Sequence, residues 1–210
     1  MSGHIAWPKL RYPLVAILRG IRWQETEAIV GALIETGFEA IEIPLNSPEP
    51  FVSIEKAAKL APANVLIGAG TVLSVEDVDR LNDVGGRLLV SPNVEQEVIR
   101  RAGQHGMVTM PGVFTPTEAF TAIRAGASAL KFFPASVLGA DGIKAVCAVL
   151  PKDIPVGAVG GVSEADFATY RTAGVSCFGL GSSLYKAGFT AAEVRERAER
   201  AVAAWDKIAG

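Results

Sequence analysis

The chain has 210 residues, of which half are apolar and 20% charged, with a formal net charge of -2. That is the composition of a soluble globular protein rather than a disordered or membrane one, and its near-neutral charge offers nucleic acid or a membrane surface no basic excess to bind. The opening segment, residues 1–8, lacks a basic stretch followed by an apolar run, and no apolar stretch reaches the ~20 residues of a spanning helix, so the expected compartment is the cytoplasm.

In chain order, eight short apolar runs alternate with longer amphipathic stretches. The runs are 14–18, 40–43, 65–69, 88–91, 107–111, 129–133, 156–159 and 177–180. Their spacing is roughly that of one strand-plus-helix unit, and they are too short for buried helices; Val, Ile and flanking Gly or Pro favour strands. Between the first two runs, 24–35 carries Ala28, Ile29, Ala32 and Leu33 on one side of a helix. Ser74-Val75-Glu76-Asp77 reads as an N-cap with carboxylates in the first turn. Thr115-Pro116-Thr117-Glu118 is a capping box with proline at the first helical position. Ser163-Glu164-Ala165-Asp166 opens a further helix in the same way. Gly37, Gly85, Gly126 and Gly174 stand where helices should close.

Strict alternation of strands and helices implies parallel pairing. Eight repeats in a chain of one-domain length, without a dinucleotide fingerprint, favour a closed parallel (β/α)8 TIM barrel over an open doubly wound sheet. The expectation is a minimal barrel forming one domain over residues 1–210, against ~250 residues for a typical one. The cysteines, Cys147 and Cys177, fall inside apolar stretches and read as free buried thiols.

In such a barrel the chemistry lies at the C-terminal ends of the strands. Lys131, in Ala129-Leu130-Lys131-Phe132-Phe133-Pro134, is a lysine inside an apolar strand. Desolvation would lower its pKa, and a neutral amine attacks carbonyl carbon. A buried ion pair or a lysine reaching past the barrel end would also place it there. Glu42 lies in Ala40-Ile41-Glu42-Ile43-Pro44, where alternation puts Ile41 and Ile43 on one face and Glu42 with Ala40 on the other. If the isoleucines pack under helices, Glu42 points into the barrel with Lys131, as a nucleophile and a proton shuttle would.

Two glycine-rich stretches come after the last two strands: Gly160-Gly161-Val162-Ser163 and Gly179-Leu180-Gly181-Ser182-Ser183. Amides freed by glycine ahead of a helix start make an anion site, and phosphate commonly binds there in these barrels. Ordinary tight turns are the alternative. Arg19, after the first strand, is placed to bind a carboxylate or phosphate unless it is merely a surface arginine. The histidines, His4 and His105, form no cluster with each other or with cysteine, so neither a zinc site nor a Ser-His-Asp set is expected, and no cofactor.

At these residues the chain resembles the KDPG/KHG aldolase family over nearly its full length. Leu18-Arg19-Gly20, Glu42-Ile43-Pro44-Leu45-Asn46-Ser47, Gly68-Ala69-Gly70-Thr71-Val72, Ser91-Pro92-Asn93, Met110-Pro111-Gly112, Lys131-Phe132-Phe133-Pro134, Val159-Gly160-Gly161-Val162 and Gly181-Ser182 occur in its order. The resemblance implies a barrel, usually a homotrimer, that reversibly cleaves phosphorylated 2-keto-3-deoxy sugar acids to pyruvate and D-glyceraldehyde 3-phosphate without metal. It maps the Schiff-base lysine onto Lys131 and the acid/base glutamate onto Glu42. Thr71 falls near the pyruvate moiety, Pro92 and Phe133 line its pocket, and Gly160, Gly161 and Ser182 match the phosphate site. Where one branch reads E-V-T-L-R-T, with the arginine holding the pyruvate carboxylate, this chain has Asn46 and, before it, Pro44; Arg19 is the candidate replacement. The E-I-P-L-N-S form resembles the branch acting on 2-dehydro-3-deoxy-6-phosphogalactonate, with the gluconate epimer as alternative substrate. A phosphate-binding barrel isomerase or epimerase, or a non-catalytic sugar-phosphate sensor, would use the same glycine loops without covalent chemistry at Lys131.

Overall fold

The computed structural model describes residues 4–209, so Met1, Ser2, Gly3 and Gly210 lie outside the described residues. Its first strand, β1 (Leu14–Ile17), is succeeded by α1 (Trp23–Glu35), β2 (Ala40–Pro44), α2 (Pro50–Leu60), β3 (Leu66–Gly70), α3 (Val75–Asp83) and β4 (Leu88–Val90). The second half runs α4 (Gln96–Gln104), β5 (Val108–Met110), β6 (Gly112–Val113), α5 (Pro116–Ala125), β7 (Leu130–Phe132), α6 (Ala135–Cys147), β8 (Val156–Val159), α7 (Phe167–Thr172), β9 (Cys177–Leu180) and α8 (Ala191–Ala209).

Every strand pairing is parallel, in the order β5-β4-β3-β2-β1-β9-β8-β7-β6. The ring closes through the chain itself. β5 pairs with β4 and β6 with β7, and only Pro111 separates β5 from β6. Proline has no N–H to give the ladder, so one apolar run of the sequence yields two strands and eight barrel positions hold nine segments. The expected TIM barrel is the observed one.

Local signals act where the sequence puts them. Ser74 accepts from the Asp77 amide, and Thr115 and Glu118 cap each other reciprocally with Pro116 in the first turn. Gly37, Gly85, Gly126 and Gly174 all take positive φ between 82° and 99°, ending α1, α3, α5 and α7. Ser163 closes a capping box with Asp166, but the box opens only a single 3-10 turn, Glu164–Asp166, before α7 begins.

The side chains fall into two apolar layers. Ile41, Ile43, Leu130 and Phe132 belong to the large layer between strands and helices. Val15, Ala40, Leu88, Val90, Val108, Met110, Ala129 and Cys177 form the lumen, with Ile5, Trp7 and Leu10 packed against them. Since neighbours on a strand face opposite ways, Glu42 shares the lumen face with Ala40, and Lys131 with Ala129. Of the cysteines, Cys177 is buried, but Cys147, at the last residue of α6, is only partly covered, because a helix end leaves one flank to solvent. Among the described residues no helix is long and apolar enough to cross a membrane.

Candidate active site

The lumen makes room for its two long polar side chains with glycine. Lys131 stands in register between Gly112 on β6 and Gly157 on β8, and Glu42 opposite Gly68 on β3. The Glu42 carboxyl lies against Gly70, where a Cβ would come within 2.0 Å of its Oε2. Both side chains are nearly inaccessible, Glu42 at 3% and Lys131 at 6%. Glu42 Oε2 is buried with no hydrogen-bond partner in the protein. No ion pair within 4.0 Å joins the two groups among the described residues, so the lysine is held by packing; its Nζ sits 4.9 Å from the centroid of the Phe133 ring.

Burial governs the protonation of both. It pushes the Glu42 carboxyl up from 4.5 to about 7, opposed by the positive charges of Lys131 and Arg19. It pulls the Lys131 amine down from 10.5 to about 8, opposed by the charge of Glu42 and assisted by that of Arg19. The result is a carboxyl able to give or take a proton near neutrality beside an amine that is partly neutral there.

The Phe133 ring that Lys131 Nζ faces is also a wall of a cavity of about 140 Å³, lined by Ile17, Arg19, Phe133, Val159, Gly160, Gly161, Val162, Gly179, Gly181 and Ser182. Six residues singled out from the sequence therefore converge: Arg19, Phe133, Gly160, Gly161, Gly181 and Ser182. Gly160 (φ 90°) and Gly161 (φ 72°) take the left-handed conformation, and a Cβ on Gly161 would meet Ser136 Oγ at 2.4 Å. A Cβ on Gly160 would instead press on the Phe133 ring at 3.1 Å. Left-handed glycines lining a cavity are of the kind that can present backbone amides to an anion.

Four predicted residues are not among the cavity's walls: Lys131 and Glu42, buried in the lumen, and Thr71 and Pro92 at strand ends. Thr71 comes after Gly70 at the end of β3 and holds φ at 58°, a strained backbone for a β-branched residue. Pro92 comes after β4, its carbonyl packed so closely on Gly112 that a Cβ there would come within 2.3 Å. Pro92 is thereby set beside the β6 position paired with Lys131, and Thr71 next to the glycine that faces Glu42. The sequence reading did not single out Ile17, Val159, Val162 or Gly179 as cavity walls. The first three are ordinary strand or loop apolar residues by type, and only the Gly-Leu-Gly spacing hinted at Gly179. It also missed Ser47, which is buried and accepts from the Gly20 amide at 2.9 Å. His105, the residue that closes α4, is bonded at 2.8 Å to Asp79 of α3 and is not among the walls of this cavity. No group of three or more His, Cys, Asp or Glu among the described residues is placed to hold a metal ion.

Comparison with known proteins identifies a family and close relatives. A family model described as KDPG and KHG aldolase matches residues 9–204. A Rhizobium meliloti (strain 1021) protein named "Probable 2-dehydro-3-deoxy-6-phosphogalactonate aldolase" is 65% identical over 98% of this chain and 97% of its own. The Escherichia coli (strain K12) 2-dehydro-3-deoxy-6-phosphogalactonate aldolase is 51% identical over 93% of this chain and 95% of its own. A solved structure described as native KDPGal superposes with a TM-score of 0.94 at 49% identity, covering 98% of this chain and 99% of that one.

Proposed function

The chain belongs to the KDPG and KHG aldolase family, and from this we propose that it is a class I, Schiff-base aldolase cleaving 2-dehydro-3-deoxy-6-phosphogalactonate to pyruvate and D-glyceraldehyde 3-phosphate. The observation that carries the reading is Lys131, an amine buried in the lumen and pulled down to about 8. At pH 7 about 10% of such a group is neutral, against about 0.03% of an ordinary lysine. The galactonate rather than the gluconate epimer is supported by the E-I-P-L-N-S form and by the names of two relatives that are 65% and 51% identical to this chain.

The chemistry derives from the positions. Neutral Lys131 Nζ attacks the C2 ketone, and Glu42 shuttles protons as the carbinolamine loses water. The protonated imine formed is the electron sink, so the reaction needs no metal and no cofactor. Glu42, directly or through water, takes the C4 hydroxyl proton; the C4 carbonyl forms as the C3–C4 bond breaks, its electrons become the C2–C3 double bond, the imine pair moves onto nitrogen to give the neutral enamine, and glyceraldehyde 3-phosphate leaves. Glu42 returns the proton to C3 of the enamine, and hydrolysis frees pyruvate and the amine. Arg19 holds the carboxylate of the keto acid, and Thr71, Pro92 and Phe133 border its pyruvyl part. Gly160, Gly161, Gly181 and Ser182 hold the phosphate, where backbone amides and a hydroxyl suit an anion. One domain carries all of these groups, as a homotrimer in the cytoplasm.

Incubation with pyruvate and borohydride, then peptide mapping, tests this. A reduced pyruvyl adduct on Lys131, absent in Lys131→Met, is expected; a folded wild-type protein without adduct would refute it. Turnover of the two epimeric phosphorylated acids then decides the substrate, and equal rates would defeat the galactonate assignment.

A further inference from the structure

The loops after β1 and β2 are stitched together at two adjacent points. The Gly20 amide donates to Ser47 Oγ at 2.9 Å, and Arg19 Nη1 donates to Asn46 Oδ1 at 2.6 Å. The second bond is short for its type and charge-assisted. It holds a long side chain that is otherwise exposed at the rim of the cavity. An arginine free to sample many rotamers would lose that freedom each time it met an anion, at a cost in affinity. A guanidinium carries five N–H donors, so a single bond to Asn46 leaves four for a ligand. The tether is also of the right chemical kind: a carboxamide oxygen fixes the guanidinium while leaving its charge for the substrate, whereas a carboxylate would cancel it.

We propose that Asn46 is a positioning residue, whose side-chain carbonyl holds the Arg19 guanidinium over the lumen so that its remaining donors meet the carboxylate of the keto acid bound at Lys131. This rests on the reading of Arg19 as the carboxylate ligand. It explains how the segment after β2 serves carboxylate binding without carrying the charge itself. The same placement has an electrostatic side. Arg19 is close enough to both buried groups for its charge to pull Lys131 and Glu42 downward, so moving the guanidinium alters when the amine becomes neutral.

A double-mutant cycle on wild type, Asn46→Ala, Arg19→Ala and the double variant tests the inference, reading the pyruvate concentration that half-saturates borohydride trapping at Lys131. Arg19→Ala should raise that concentration roughly 10- to 100-fold, and Asn46→Ala about 3- to 10-fold, as for lost hydrogen bonds to a charged and a positioning group. The trapping rate at saturating pyruvate, read well above the pH midpoint, should stay near wild type in Asn46→Ala. The double variant should match Arg19→Ala alone, because Asn46 has nothing left to hold. Asn46→Asp should bind pyruvate more weakly than Asn46→Ala, and both single variants should shift the pH midpoint of trapping upward. Both side chains are exposed, so folding is not at stake, and circular dichroism verifies it. If Arg19→Ala raises the half-saturating concentration but Asn46→Ala is silent or additive with it, the positioning role is overturned while Arg19 keeps its own. If Arg19→Ala leaves the half-saturating concentration unchanged, the carboxylate reading itself is overturned.

Discussion

Replacing Lys131 by methionine should abolish catalysis and make the protein more stable. The amine titrates near 10.5 in an unfolded chain and near 8 in the folded one. Folding therefore weakens its hold on the proton, which costs the folded state about 3 kcal/mol wherever both states are protonated. At pH 7 nearly all of that cost is present. As pH rises from about 8 to 10.5, the unfolded chain still binds the proton and the folded one does not, so wild-type stability climbs and the penalty disappears. Methionine fills a similar volume without charge. Losing the ammonium pushes Glu42 above about 7, but that carboxyl is already half protonated at neutrality, so the added cost is well under about 1 kcal/mol. The net expectation is a gain of about 2–3 kcal/mol at pH 7, or roughly 4–12 °C in Tm for a chain of this length. Urea unfolding monitored by circular dichroism, at one protein concentration and at pH 7 and pH 10.5, measures it. A variant no more stable than wild type at pH 7, or one whose advantage is equal at both pH values, would refute the claim that burial controls this amine.

The geometry sets three further outcomes. In Glu42→Gln the charge that raises Lys131 is gone, so the pH midpoint of pyruvate trapping should fall below the wild-type value near 8, while turnover drops by ~10²–10⁴ for want of the proton shuttle. Gly161→Ala forces a Cβ to 2.4 Å from Ser136 Oγ at a φ of 72°. It should raise KM for the phosphorylated substrate by roughly tenfold or more, as for a displaced anion-binding amide, while leaving pyruvate trapping intact; equal damage to both would remove the phosphate from this loop. Cys147, half-exposed, should react with a thiol reagent well before Cys177, whose thiol burial pushes up to about 12; mass mapping after brief labelling shows the order.

Much of this was legible in the residues alone because period and register carry it. Ala40-Ile41-Glu42-Ile43 alternates so strictly that burying the isoleucines under helices leaves Glu42 one direction, and the structure places it there. Ser74, Thr115 and the closing glycines act within a few residues of themselves, so local chemistry suffices. What escaped depends on distance between loops. Asn46 reads as the absence of an arginine; that it binds Arg19 is set by where two strands end and by one rotamer. The break at Pro111 was visible as a residue, but whether it splits a strand is decided by the neighbour whose carbonyl would need its missing N–H. Cys147 sits in an apolar stretch, yet its exposure is fixed by how far α6 runs past what covers it.

Ile5, Trp7 and Leu10, packed against the floor of the lumen, give the barrel a stopper as well as a core. With the base corked, the open end is the rim, where Arg19 and the Gly181-Ser182 loop wall a cavity. A substrate seated there is its own lid. In the proposed reaction the covalent bond to Lys131 keeps the pyruvyl half in the corked end, so the phosphorylated half, free once the carbon–carbon bond breaks, is the one that leaves first by the rim.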